Sequence, residues 1–224
     1  MARWPRHFCL LCVVLMQKQL YGGINMLAEH AVYPVGFPYG FKVRLRLFEM
    51  TDAETLCKWM NNPLVTQFLK RNPPLSLTEE REWLEGLPKR PNHKVFGIET
   101  LSDKRLIGSI GLHDISQHSG TATTGTVIGE PEYWGGGYGT DAKMILLDYA
   151  FNILNLRKIR SRVYNFNERS LAYAAKCGYV EEGRLIQDYW KNGGYVDTVL
   201  LAVFRDKWLP LWDKYRNATT ASSK

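Results

Sequence analysis

Residues 41–48 alternate strictly: Phe41, Val43, Leu45 and Leu47 fall on one side, and Lys42, Arg44 and Arg46 on the other. A period of two predicts a strand with one buried face. Thr51, Asp52, Ala53 and Glu54 then have capping-box spacing and predict a helix through Trp59 and Met60 that Pro63 stops. Ser76 and Glu79 repeat that signature before a helix around Trp83 and Leu84. Residues 95–100 and 106–113 read as strands joined by the turn Ser102-Asp103-Lys104, and residues 123–129 as a third. Ala142, Ile145, Leu146, Tyr149, Ala150, Ile153 and Leu154 then recur at helical spacing, a core stripe. Residues 159–164 predict another strand, and Asn167-Glu168-Arg169-Ser170 opens a short helix that Gly178 ends. Residues 185–190 and 195–204 flank the hairpin turn Lys191-Asn192-Gly193-Gly194. A short element over residues 206–215 and a polar tail complete the pattern, which contains no internal repeat. This order of elements predicts one α+β sheet domain.

Between the third strand and the helical stripe lies Trp134-Gly135-Gly136-Gly137-Tyr138-Gly139-Thr140-Asp141-Ala142. Glycine lets the backbone turn tightly and present its N–H groups at close range. The helix that starts there adds unpaired donors and the positive end of its dipole. Together they form a cradle for an anion, most naturally phosphate. A Walker loop is excluded because no lysine stands between Gly139 and Thr140. A dinucleotide fingerprint fits only in its loose form, from Gly137 through Gly139 to Ala142, with no acid about 20 residues on. A purely structural glycine turn stays open.

The formal net charge of +7 suits an anionic ligand and equally suits non-specific attraction to nucleic acid. No nucleic-acid-binding motif accompanies it, so no specific nucleic-acid partner is expected. Four cysteines, at 9, 12, 57 and 177, provide no disulfide framework and fit a reducing, cytoplasmic setting. Cys9 and Cys12 lack a second ligand pair, and no metal is expected. Basic residues precede the apolar run of residues 8–16, which is too short to span a bilayer and leaves a signal-peptide reading open. Residues 1–40 are therefore expected to be a leader and Gly/Pro-rich linker, with Met26 a plausible internal start. The domain proper is expected at 41–215, and a polar tail at 216–224.

At these residues the chain resembles the GNAT family of N-acetyltransferases. That family's loop reads Gln/Arg-x-x-Gly-x-Gly/Ala. Gly137 and Gly139 match its small positions, and Trp134 replaces the Gln/Arg. The run from Trp134 to Ala142, then Asn167-Glu168-Arg169-Ser170, Cys177-Gly178-Tyr179 with Glu182-Gly183, and Asn192-Gly193-Gly194-Tyr195-x-Asp197 are similar to the branch containing ribosomal-protein and spermidine acetyltransferases. The resemblance covers about residues 41–212. It implies a mixed, mostly antiparallel sheet, flanked by helices and splayed at its middle, with acetyl-CoA in the split. The diphosphate would lie on Gly135, Gly136, Gly137, Tyr138, Gly139 and Thr140, and the pantetheine along Val127, Ile128 and Gly129. Asn167 would cap its helix or bind the pantetheine amide, or both.

Acetyl transfer from a thioester requires a neutral amine, a donor for the charge building on the carbonyl oxygen, and a proton for the departing thiolate. An alkyl amine, with a pKa near 10.4, needs a base at neutral pH. Glu130 and Glu132 lie between strand and loop, and Glu130 is the preferred base; solvated charge is the competing reading of each. The backbone N–H of Ile128 or Gly129 is the expected oxyanion donor. The family's usual tyrosine acid falls at Ala174, with Tyr173 beside it, about 100° away around a helix. The branch's serine acid falls at Ser170, which could instead position the sulfur or serve as a helix N-terminal hydroxyl. Tyr173 could equally be a core residue. The carboxylate that branch members carry before the last hairpin falls at Tyr189, next to Asp188. His113-Asp114 looks like an acid–base pair, but strand neighbours diverge, which favours a loop-edge role. Gly136 stands where relatives carry a basic or polar side chain, which predicts weaker coenzyme A binding.

The expected function is transfer of an acetyl group from acetyl-CoA to a primary amine of a small molecule or a protein N-terminus. A catalytically impaired acyl-CoA-binding module is the alternative, motivated by Ala174 and Tyr189. A homodimer through the last hairpin is possible on this reading, and the acceptor cannot be read from the sequence.

Overall fold

A computed structural model describes residues 40–70 and 73–220. The expected leader, the linker before Gly40, and Cys9 and Cys12 lie outside the described residues. Seven strands form one sheet in the order β1-β2-β3-β4-β5-β7-β6. The strands are β1 (Val43–Arg46), β2 (Lys94–Thr100), β3 (Leu106–Ser116), β4 (Thr121–Ile128), β5 (Lys158–Tyr164), β6 (Val180–Lys191) and β7 (Gly194–Phe204). The helices are α1 (Ala53–Met60), α2 (Pro63–Thr66), α3 (Leu77–Gly86), α4 (Tyr138–Asp148), α5 (Glu168–Lys176) and α6 (Arg205–Thr220).

Every neighbouring pair is antiparallel except β4–β5. That parallel pair holds only from Thr121 opposite Lys158 to Thr124 opposite Ser161. Beyond it, β4 follows β3 as far as Ile128 opposite Gly108, while β5 follows β7 as far as Tyr164 opposite Thr198. The sheet is thus mixed and splits at its middle. Gly129 N–H bonds Ile107 carbonyl across β3. By the alternation of an antiparallel ladder, the backbone groups of Thr126 and Ile128 then point into the split.

One face of the sheet carries α4, whose residues from Asp141 to Leu147 are all buried, together with α6. Val43, Leu45, Phe96, Ile110 and Leu112 meet Ala142, Ile145 and Leu146 there. Trp208 stacks on Trp212 at 5.2 Å and tilts on Phe151 at 5.2 Å. The opposite face packs Leu56, Trp59 and Leu84 of α1 and α3.

The sheet class follows the pattern of residues, and several boundaries differ from it. Phe41 and Leu47 are exposed at 43% and 63%, so β1 keeps only the central part of the alternating run. The polar face of β1 is not solvated. Arg46 pairs with Asp52 at 2.8 Å and Glu99 at 2.7 Å, and Arg44 with Glu99 at 2.5 Å. Because Asp52 also accepts from Glu49 N–H, the first capping box is Glu49/Asp52 around a 3-10 turn, not Thr51/Glu54. The Ser76/Glu79 box forms as expected. Asn62 caps a helix that Pro63 begins rather than merely stopping the one before. Asn192 and Gly193 have φ of 52° and 78°, the two left-handed positions of a two-residue hairpin loop. β6 begins at Val180, earlier than expected, because an exposed edge strand tolerates the charged run Glu181-Glu182. The last element is a 16-residue helix rather than a short one, since Trp208 anchors it in the core.

Asp141, in the first turn of α4, ties three segments together. Its carboxylate accepts from the N–H groups of Phe41 (3.0 Å), Lys42 (2.7 Å) and Val43 (2.9 Å), and from Tyr215 hydroxyl. The clamp fixes the glycine loop against the start of β1 and against α6.

Candidate active site

Gly135 and Gly137 have φ of 79° and 84°, conformations that β-carbon-bearing residues adopt only with strain. Gly137 is the N-cap of α4, and the first bond back to the loop runs from Asp141 N–H to Gly137 carbonyl. Among the described residues, the N–H groups of 135 through 140 therefore have no protein acceptor. They form a concave row of donors at the positive end of α4. Lys42 Nζ donates to Gly136 carbonyl at 2.7 Å and sits 5.3 Å from the Tyr138 ring centre. It brings to the loop the cation that Gly136 cannot carry as a side chain.

The loop opens into a cavity of about 260 Å3 that follows β4 along the split, from Gly135, Gly137, Gly139 and Thr140 past Ile128 and Val127 to Thr126. Its far wall is α5, with Asn167, Ser170 and Tyr173, and its charged lining is wholly basic, Arg169 and Lys176. Asn167 Oδ1 caps α5 by accepting from Ser170 N–H at 3.1 Å. Trp134 Nε1 donates to Ile128 carbonyl at 2.8 Å, and the Arg169 guanidinium lies 4.5 Å from the Trp134 ring. An aromatic–cation pair thus bridges the two arms of the split near the loop.

A second cavity of about 420 Å3 lies on the α1/α3 face and shares Phe68 and Leu69, Thr126 and Val127, and Asn167, Ser170 and Tyr173 with the first. Its floor is a glycine window, because Gly111 of β3 stands opposite Gly125 of β4. His113 borders that window. A Cβ on Gly111 would lie 3.2 Å from His113 Nε2, and one on Gly125 3.6 Å from it. The Nδ1 atoms of His113 and His93 are 3.1 Å apart, so one ring donates to the other. Burial, then the adjacent His93, holds His113 below the ordinary histidine range, and the imidazole is neutral at pH 7.

Several sequence expectations change here. Glu130 does not reach either cavity: Oε1 accepts from Trp59 Nε1 at 2.9 Å and Oε2 from Arg105 Nη2 at 2.9 Å. Both oxygens are committed to the scaffold, so Glu130 is not placed to act as base. Glu132 pairs with the same Arg105 at 3.0 Å. Gly129 cannot be the oxyanion donor, because its N–H is spent on Ile107 carbonyl. Its missing side chain instead makes room for Trp59, which a Cβ would meet at 2.0 Å. Gly136 and Tyr138 contribute backbone only, since neither side lines the cavity and Tyr138 stacks edgewise on Tyr133 at 5.1 Å. Ala174 is buried in the core, whereas Tyr173, one position earlier, lines both cavities. Burial raises the Tyr173 hydroxyl well above its ordinary range, so it keeps its proton. Between Leu185 and Tyr189 the β6–β7 register slips, with Gln187 at φ 54°, so simple alternation does not set the direction of Asp188.

Four features escaped the sequence reading. The alternation places Lys42 only on the polar face of a strand. Strand geometry favours a loop-edge role for His113. Glu80, 3% exposed and lining the second cavity, falls three residues from Leu77 and four from Leu84 on the buried side of α3. A charge on an apolar stripe was its legible signal. Lys143, 1% exposed, donates to Thr124 Oγ1 at 2.8 Å beside the rings of Tyr173 and Tyr179. It too sits within a buried helix.

A family model described as an acetyltransferase (GNAT) domain matches residues 42–180. The chain is 28% identical over 171 residues to an uncharacterized N-acetyltransferase, p20, of Bacillus licheniformis, covering 75% of this chain and 95% of that one. It is 29% identical over 168 residues to a spermidine N(1)-acetyltransferase of Vibrio cholerae, covering 75% and 96%. The crystal structure of spermidine N-acetyltransferase from Vibrio cholerae in complex with CoA and spermine matches with a TM-score of 0.70 at 29% identity, covering 75% of this chain and 98% of that one.

Proposed function

The chain belongs to the GNAT acetyltransferase family and is an acetyl-CoA-dependent N-acyltransferase; on that premise we propose how its residues divide the work. Acetyl-CoA supplies an acetyl group already activated as a thioester. The row of amides at 135–140 receives the diphosphate, and Lys42, Arg169 and Lys176 add positive charge around it. The backbone groups of Thr126 and the N–H of Ile128, whose carbonyl already accepts from Trp134, offer strand-like bonds to a peptide-like arm, as in β-strand addition. Trp134 closes the groove over Ile128 and marks its width.

Ser170 and Tyr173 stand where the two cavities meet, and there the reacting sulfur and amine must come together. Tyr173 retains its proton at neutral pH and serves as donor to the departing thiolate; Ser170 positions the sulfur and Asn167 fixes the helix that carries them. The acceptor amine enters through the second cavity. With His113 donating through Nδ1 to His93, its Nε2 is a proton acceptor facing the glycine window, and it takes the amine proton directly or through water. The C–N bond forms as the C–S bond breaks, the amine proton passes to His113, and the thiolate takes the Tyr173 proton. Loss of the His113 proton to solvent and reprotonation of Tyr173, directly or through water, complete the cycle.

The carrying observation is the continuity of a row of unpartnered amides, a split strand and a second cavity, all meeting at α5. Calorimetric titration with coenzyme A and thiol release with a panel of primary amines test it on the full chain. Wild type and His113→Gln are expected to bind coenzyme A alike, with turnover in the variant reduced roughly 100-fold or more. Absence of coenzyme A binding to wild type would overturn the reading.

A further inference from the structure

We infer that the acceptor is a primary amine on an apolar body that also carries a carboxylate, and is not a polycation such as spermidine. This rests on the assignment of the second cavity to the acceptor. The floor of that cavity is built from the outward positions of β3 and β4: Ser109, Gly111 and His113, with Gly125 and Val127 across the ladder. None is acidic. Met60, Phe68 and Trp83 give the walls an apolar stretch.

The charged lining consists of Lys70, Arg162, Glu80 and the neutral His113. Glu80 is 3% exposed and has a partner of its own, while its buried Oε2 accepts no hydrogen bond, so it offers at most one acceptor atom to an ammonium group. Lys70 and Arg162 have no ion pair among the described residues; Lys70 Nζ rests 4.4 Å from the Tyr189 ring centre. Lys191 adds a third cation behind the wall, donating to the carbonyls of Thr66 (3.3 Å) and Leu69 (2.8 Å). Asp188 is the nearby acid beyond the lining, acting on Tyr164.

A ligand with several ammonium groups would bring like charges into a cavity that holds Lys70 and Arg162 and a single carboxylate, Glu80, already engaged elsewhere, which disfavours it. A substrate carboxylate, in contrast, meets two unpaired cations, one a guanidinium suited to bidentate binding. Its amine is left to point over the glycine window toward His113 and Tyr173. The relatives that act on spermidine share the fold, and acceptor selectivity lies in wall residues that the fold does not dictate.

The test is steady-state thiol release at saturating acetyl-CoA. Acceptors are phenylalanine, leucine, phenethylamine, spermidine and a short peptide with N-terminal phenylalanine followed by glutamate. Wild type is expected to prefer a carboxylated amine over spermidine by at least ~10-fold in kcat/KM. The free amino acids and the peptide distinguish a small-molecule acceptor from a polypeptide N-terminus. Lys70→Glu and Arg162→Glu are expected to lower the ratio of carboxylated amine to spermidine by a further ~10-fold or more. Preference of wild type for spermidine, or an unchanged ratio in both variants, would overturn the inference. Coenzyme A titration of the same samples separates the two levels: binding with the wrong acceptor preference sinks only this inference, and no binding sinks the functional reading beneath it.

Discussion

Asp141 lies in the glycine loop's own motif, and the geometry makes it the clamp of the scaffold. Replacing it by alanine strands the N–H groups of Phe41, Lys42 and Val43 and the hydroxyl of Tyr215. The Val43 bond is buried and receives no substitute from water, whereas those of Phe41 and Lys42 are partly buried and can be rehydrated in part. A stranded buried donor costs about 1–3 kcal/mol and a rehydrated one less, so Asp141→Ala is expected to cost roughly 3–5 kcal/mol. For a chain of this size that corresponds to a fall of roughly 10 °C in Tm. Asp141→Asn is graded: Oδ2 accepts from Lys42 and Val43 and Oδ1 from Phe41 and Tyr215, so one amide oxygen rescues one side only. About half the loss is expected. Urea titration followed by tryptophan fluorescence reads both variants, with the slope m confirming a common unfolded state. A loss below about 1 kcal/mol in Asp141→Ala, or the reverse order of the two variants, would refute the clamp.

Glu130→Gln keeps an acceptor for Trp59 and loses the charge facing Arg105, whose side chain is 45% exposed, so it is expected to cost about 1 kcal/mol or less and leave kcat unchanged. A ~100-fold fall in kcat at unchanged stability would return Glu130 to the role of base. Burial pulls Lys143 down to about 8, below its ordinary 10.5, so the folded state binds this proton more weakly than the unfolded chain. Its contribution to stability therefore rises with pH between those two values, and at neutral pH the buried charge is a cost. Lys143→Met is expected to stabilise the chain by roughly 1–3 kcal/mol at pH 7 and to flatten the alkaline rise; urea titrations at neutral and alkaline pH compare the two proteins, and a variant weaker than wild type at pH 7 would contradict this. Lys42→Ala is expected to weaken coenzyme A binding several-fold at low salt and less at high salt, read by calorimetry; equal loss at both salts would point to a structural role instead.

The sequence by itself determined the class of fold and the location of the glycine loop that opens α4. Periods of two and 3.6 record which side of each element is buried, and the positive-φ positions at 135 and 137 can be filled without strain only by residues lacking a Cβ. Both are local properties, written within a few residues. The partners of charged groups were decided only by tertiary structure. The place of Glu130 beside the loop suggests a base, but Arg105 and Trp59, 25 and 71 residues away, engage both its oxygens. Lys42 reaches Gly136 across 94 residues, and His113 reaches the second cavity because two glycines on adjacent strands fall opposite each other. A side chain's chemistry depends on which charges and how much solvent surround it. Those surroundings come from segments far apart in the chain, so they take shape only when the sheet pairs and its halves part.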